Sequence, residues 1–316
     1  MPESSVVEVT SEHFVDVAPG IADIDHRAAA SDGHPALGDA AWLDLEHPGP
    51  DSAGFIVDGR GYAHVARSDN AAPRHWALGL VLTPEARTGD LRRELVAAAL
   101  THVGAHGGGV IALWLLGARP EDDTVLAASG FVPARDLYEM RVALPLGIEP
   151  KWADGIHVRS FEVGRDEDAW LDVNNRAFAG HAEQGGWTAD TFARRVGEPW
   201  FDPALFLLAT DADGLVGFNW LKIHEAHDRD PRLGEIYVVG VDPRAQGLGL
   251  GRSLAVAGLD AVHRRGIDVG MLFCAADNEP ALNLYRSLGF DVHRIDRAYE
   301  CEVAGCEVAG CEVAPV

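Results

Sequence analysis

The chain has 316 residues, enough for two domains of ordinary size, and its 47% apolar content can fill two cores. A formal net charge of −23 argues against nucleic acid and anionic membrane surfaces as partners, because both are polyanions. The start, MPESSVVEVTSEHF, has no basic stretch before an apolar core, and no run of about 18 apolar residues occurs, so neither a signal peptide nor a membrane span is expected. Cys274, Cys301, Cys306 and Cys311 make neither a zinc pattern nor a disulfide framework, which suits a reducing, cytoplasmic setting. Lys151 and Lys222 are the lysines of a chain otherwise rich in Arg, Ala, Gly and Asp, a bias that points to a GC-rich genome.

In chain order, Ala40–Leu45 reads as a short helix with Asp39 before it as a candidate N-cap. Gly61–Arg67 and Trp76–Leu82 read as strands. Leu91–His106 carries apolar residues at helical spacing, Val110–Leu116 is a buried strand, and a short helix ends at Gly130-Phe131 before a closing strand. Leu144–Gly155, rich in Pro and Gly, reads as a linker. The same series then returns: strands Leu205–Thr210, Leu215–His224 and Glu235–Val241, helix Arg252–Arg265, strand Val269–Ala275, a helix ending at Gly289-Phe290, and a last strand finished by Glu300–Ala304. Leu82–Arg87 falls on Val241–Gln246, Leu95 on Leu254, and Gly130-Phe131 on Gly289-Phe290, all at one gapless offset of 159 residues. We therefore expect two tandem α/β copies: residues 1–146, a linker at 147–155, residues 156–300, and a repetitive Cys-Glu-Val-Ala tail at 301–316 with no core of its own.

The stretch Val238–Leu254, VVGVDPRAQGLGLGRSL, joins a strand to a helix through a glycine-rich loop. Glycine lets backbone approach a ligand closely, and a helix start offers free N–H groups and a positive dipole end that suit a pyrophosphate. No Lys follows as a Walker A loop requires, and the glycine spacing is not that of a Rossmann loop. Downstream stand Asn278 and the run ALNLYRSLGF at 281–290. Together these resemble the acetyl-CoA site of the GNAT N-acetyltransferase family. The resemblance implies two tandem GNAT domains, each a mixed, mostly antiparallel twisted sheet flanked by helices, with acetyl-CoA as co-substrate. Val239, Gly240 and Val241 would pair with the pantetheine arm. Gln246, Gly247, Leu248, Gly249, Leu250, Gly251 and Arg252 would cradle the pyrophosphate, with Arg244 a further charge partner. Asn278 would bond the pantetheine, or simply cap its helix. Glu235, at a strand start beside apolar Ile236 and Val238, is a candidate general base, or else a solvated strand-end carboxylate. Tyr285 would protonate the departing thiolate, or else pack as a core tyrosine.

Three runs narrow the resemblance: NNRAFAGHAEQGGW at 174–187, GEIYVVGVDP at 234–243 and LYRSLGF at 284–290. They resemble the tandem-domain mycothiol synthase family of actinobacteria, which acetylates the cysteinyl amine of cysteinyl-glucosaminyl-inositol. The resemblance implies a small amino-glycoside substrate met by Asp39, Glu183, Lys222, Glu235 and Tyr285, in a monomer. Plainer readings stand beside it: Glu183 as a loop charge and Lys222 as a strand-edge solubiliser. The first copy lacks the chemical groups, since Asp90 replaces Gly249, Arg92 replaces Gly251, Trp76 replaces Glu235 and Leu126 replaces Tyr285. His224 and His227 suggest H-x-x-H, but no third ligand is evident, so no metal is expected. The alternatives are a GNAT enzyme acting on another small-molecule or protein amine, and a CoA-binding protein without turnover.

Overall fold

A computed structural model describes residues 6–68, 75–87, 90–180, 184–226 and 230–305, without the side chains of Asp39 and Ser68. The chain forms two compact units, Met1–Leu137 with Arg294–Val316, and Tyr138–His293. The first holds β1 (Val7–Thr10), α1 (Phe14–Asp32), α2 (Asp39–Glu46), β2 (Ala53–Val57), β3 (Gly61–Ser68), β4 (His75–Leu82), α3 (Leu91–Ala105), β5 (Gly109–Leu115) and α4 (Pro120–Ala127). β6 (Val132–Ala143) leads into the second, which holds β7 (His157–Ser160), α5 (Glu167–Ala177), α6 (Ala189–Val196), β8 (Phe206–Asp211), β9 (Gly214–His224), β10 (Leu233–Val241), α7 (Leu250–His263), β11 (Val269–Ala275) and α8 (Glu279–Ser287). The last strand is β12 (Asp291–Val303). Helices α3, α4, α7 and α8 start 159 residues from their counterparts, so the offset in the sequence is an offset in structure.

Strand order is β1-β2-β3-β4-β5-β12 in the first unit and β7-β8-β9-β10-β11-β6 in the second. β4–β5 and β10–β11 pair in parallel, and the other pairs recorded within the units are antiparallel. Helices cover both faces of each sheet, because each strand alternates its side chains between two apolar layers. In the second unit one layer joins α7 and α8 to Leu221, Ile236 and Leu272. The other is aromatic: Trp170, Phe192, Phe206, Phe218 and Trp220, with Phe206 and Trp220 stacked at 4.6 Å.

The closing strands are exchanged. β12 pairs with β5 from Arg297–Leu115 to Val303–Gly109, and its Tyr299 and Cys301 enter the core of the first unit beside Leu113, Leu126 and Phe131. β6 supplies Met140 and Val142, and Leu144 just after it, to the core of the second. The compact units thus divide at Leu137/Tyr138 and His293/Arg294, not within 147–155. Alternation along a strand tells which side chains face inward but not which sheet receives them. At Asp39 the helix α2 already begins and Gly38 occupies the N-cap position, so Asp39 is not the cap.

Candidate active site

Glu235 lies near the start of β10, 6% exposed. It sits opposite Lys222 of β9 and Met271 of β11, so the three side chains share one face of the sheet. The parallel pairing of β10 with β11 runs through Gly234–Gly270, Glu235–Met271 and Ile236–Leu272 and goes no further. Against β9 the register shifts between Ile236 and Val238, a bulge at Tyr237. A bulge bends its strand and re-aims the next side chains. Here it lets Val238 join the aromatic layer with Trp220, although Ile236 two positions earlier faces the opposite layer. Beyond Ile236, then, the β11-side edge of β10 continues through Val239, Gly240 and Val241 without β11 pairing.

Asp242 ends this strand. It is buried, accepts from the Arg244 N–H at 3.0 Å to cap the turn Pro243–Ala245, and takes Arg176 of α5 at 2.6 Å. Burial works to raise its carboxyl, yet these hydrogen bonds outweigh it and hold Asp242 below the usual carboxylate range. Gly247 and Gly249 follow at φ 83° and 72°, a region natural to glycine, and Gly249 is the N-cap of α7. Gly251 differs. A Cβ there would meet Val241 Cγ2 at an ordinary 3.8 Å, so the protein's own packing does not require glycine. The position instead keeps side-chain bulk away from the helix start. Buried Asn219 of β9 fixes that helix by donating to the Leu254 carbonyl at 2.8 Å. Arg252 donates to Ser287 Oγ at 2.5 Å, while Arg244 is turned to Asp211 at 2.7 Å.

Asn278 caps α8, accepting from the Ala281 N–H at 3.2 Å through its side-chain oxygen. Tyr285 of α8 is buried in the layer opposite Glu235, with Ile236, Leu272 and Cys274, and its ring lies 5.7 Å from Phe290. Burial pushes its phenol above the ordinary tyrosine value, with a smaller push from Cys274. Burial likewise raises the Cys274 thiol to about 11, which keeps it protonated and unreactive near neutral pH. Glu235 and Tyr285 therefore flank the parting of β10 and β11 from opposite faces of one sheet.

The face of Glu235 carries two further polar groups, His224 and Lys222. His224 Nε2 lies 2.7 Å from Glu235 Oε2. Lys222 Nζ stands 5.0 Å from the Trp200 ring centroid, and Trp200 meets Tyr237 at 5.1 Å. Lys222 belongs to β9, which has β8 and β10 as neighbours, so it is not on an edge strand. Asn174 donates to the Gln184 carbonyl at 2.8 Å, and Asn175 both donates to the Trp187 carbonyl and accepts from its N–H. The NNRAFAGHAEQGGW run is thus closed on itself by its two asparagines. Glu183 and His227 lie outside the described residues, as do Cys306 and Cys311. Among the described residues no group of three or more His, Cys, Asp and Glu side chains is placed to hold a metal ion.

The corresponding place in the first unit is filled differently. Arg92 is ion-paired with Asp122, Asp90 with Arg93, and Trp76 donates Nε1–H to the Gly108 carbonyl at 3.0 Å. Leu126 is core.

Residues 168–290 match the model of the acetyltransferase (GNAT) family. In fold the chain is similar to a GCN5-related N-acetyltransferase from Sphaerobacter thermophilus (TM-score 0.68, 20% identity, 98% of this chain and 99% of that one). It is also similar to a tandem GNAT protein from the clavulanic acid biosynthesis pathway (TM-score 0.69, 16% identity, 96% and 99%). The fold is that of a GNAT acetyltransferase. A mycothiol acetyltransferase of Thermobispora bispora is 42% identical over 86% of this chain and 92% of its own length. One of Geodermatophilus obscurus is 40% identical over 85% and 89%. The chain belongs to the mycothiol acetyltransferase family.

Proposed function

We propose that the second unit moves the acetyl group of acetyl-CoA to the cysteinyl amine of cysteinyl-glucosaminyl-inositol, the step that completes mycothiol. The observation that carries this is the parting of β10 from β11 after Ile236, one residue beyond Glu235, which leaves strand backbone free beside a glycine-lined helix start. Val239, Gly240 and Val241 would pair with the pantetheine arm, and their amides would polarise the thioester carbonyl. Residues Gln246 to Arg252 would take the pyrophosphate on N–H groups of the loop and helix start. Asn278 has spent its oxygen on the cap, so its amide N–H₂ would be the group offered to the pantetheine.

Glu235 takes a proton from the substrate ammonium, and the free amine attacks the carbonyl carbon. The carbon–sulfur bond breaks, Tyr285 donates its phenolic proton as the sulfur leaves, and the second proton shed by the new amide nitrogen restores the phenol. Lys222, beside Trp200, donates to sugar hydroxyls, and Glu183 and Asp39 are proposed to complete the substrate contacts. The first unit, without a base, an acid or an open loop, does no chemistry. We place the protein in the cytoplasm as a monomer acting on a small molecule; among the described residues no helix is long and apolar enough to cross a membrane. The test is release of CoA thiol when purified protein meets acetyl-CoA and a panel of amines. We expect the cysteinyl glycoside to be preferred. Equal or better rates with an aminoglycoside or an N-terminal peptide amine would overturn the substrate, and no release with any amine would overturn the activity.

A further inference from the structure

Glu235 is a buried carboxylate on a strand, and such a side chain can rotate unless something holds it. What holds it is His224, whose Nε2 lies 2.7 Å from Oε2. His224 is the last residue of β9 and pairs with Leu233, while Lys222, two residues earlier, pairs with Glu235. The three polar side chains therefore project from one face, and the histidine reaches the carboxylate diagonally across the strand pair. The imidazole is about one-third exposed (34%) and the carboxylate side chain 8% exposed, so the contact links a buried group to a more accessible one.

We propose that His224 is a positioning residue for acetyl transfer. It holds Oε2 of Glu235 so that Oε1 faces the incoming amine. A base must be ionised to work, and an ionised carboxylate only accepts, so in the working state Nε2 carries the proton and donates it. The nitrogen does not touch the substrate, and its effect passes wholly through Glu235. The inference rests on the reading of Glu235 as the base. Misplacing a reacting group by about 1 Å can cost roughly 100-fold in rate.

The experiment is a double-mutant cycle on the full chain, read as kcat and KM for acetyl-CoA and for the cysteinyl glycoside. Four proteins are compared: His224→Ala, His224→Gln, Glu235→Gln and the double variant His224→Ala/Glu235→Gln. We expect His224→Ala to lower kcat about 10- to 100-fold with the KM for acetyl-CoA unchanged. His224→Gln, which keeps an N–H donor, should recover most of that loss. In the Glu235→Gln background, His224→Ala should cost less than about twofold more, because groups that act as a unit are not additive. Wild-type kcat in His224→Ala overturns the proposal. So does a full multiplicative loss in the double variant, which would mean that the histidine acts independently of Glu235. If Glu235→Gln itself turns over at the wild-type rate, the base assignment fails and the proposal with it. That outcome is told apart from failure of the proposal alone, in which Glu235→Gln is slow and His224→Ala is not. Should His224→Ala fail to fold, His224→Phe, which fills the space without an N–H donor, replaces it: a loss of kcat of about 10-fold or more that His224→Gln does not share supports donation, and wild-type kcat in His224→Phe overturns it.

Discussion

Tyr285 shows how burial sets the use of one side chain. A phenol at its ordinary value of about 10 already lies some 1.5 units above a thiol of about 8.5, so proton donation to the thiolate is uphill by about 2 kcal/mol. Burial raises the Tyr285 phenol further. The group thus stays protonated throughout the neutral and mildly alkaline range and is available to donate as the carbon–sulfur bond breaks. We expect Tyr285→Phe to slow single-turnover acetyl transfer, by no more than about 100-fold, with both substrates still bound. The sign of the pH effect follows from the direction of the shift. Since the folded phenol loses its proton only above the ordinary tyrosine value, the wild-type rate should show no alkaline fall from this group below about pH 10. An alkaline limb below that pH that disappears in Tyr285→Phe would contradict the upward shift, and a wild-type single-turnover rate in Tyr285→Phe would remove the tyrosine as the acid. The tyrosine was legible in the run LYRSLGF. The contact of His224 with Glu235 was not, because the two lie eleven residues apart and only strand pairing brings them together.

At the scale of an element, the loop between β10 and α7 separates two demands that look alike in sequence. Gly247 and Gly249 are fixed by backbone conformation, whereas Gly251 has an ordinary helical place and room for a Cβ. An acidic residue in a first helical turn typically adds about 0.3–1 kcal/mol, and glycine in a helix costs roughly 1 kcal/mol against alanine. Gly251→Asp should therefore leave thermal stability unchanged or slightly higher while raising the KM for acetyl-CoA at least about 10-fold, since the carboxylate repels the pyrophosphate. Unchanged KM with raised stability would remove Gly251 from the phosphate site. The spacing Q-x-x-G-x-G marked the loop but could not say which glycine serves the backbone and which serves the ligand. Nor could it show the Tyr237 bulge, since a bulge leaves no residue-type signature here. Most strands and the helices α2, α3, α4, α7 and α8 were legible from periodicity, whereas α1, α5 and α6 were not expected; α3, α7 and β11 fall within two residues of their expected bounds.

At the scale of the molecule, the duplication was legible because an unbroken offset survives divergence of the residues. The exchange of closing strands was not, because β6 and β12 have the same pattern whichever sheet they complete. Ending the chain at Phe290 removes Tyr299 and Cys301 from the core of the first unit, together with the Tyr299 hydroxyl bond to Asp123 at 2.7 Å. Loss of a buried aromatic alone costs about 3–5 kcal/mol. We expect such a chain to lose hydrogen-exchange protection across Gly109–Leu115 while Val269–Ala275 keeps its own; equal protection of both would show that β12 does not complete the first unit. The two copies should also differ in binding. With Arg92 paired to Asp122 and a carboxylate at Asp90, we expect the first copy to bind acetyl-CoA weakly or not at all. Isothermal titration of acetyl-CoA should give one site per chain, and two sites of equal affinity would contradict the assignment of the first copy.

The most direct measurement is single-turnover acetyl transfer to the cysteinyl glycoside by Glu235→Gln at saturating acetyl-CoA. Gln keeps the shape of the side chain and cannot accept a proton. We expect a rate lower by about 10²–10⁴-fold at neutral pH with acetyl-CoA affinity unchanged. A wild-type rate would remove Glu235, and with it this face of the second unit, from the chemistry.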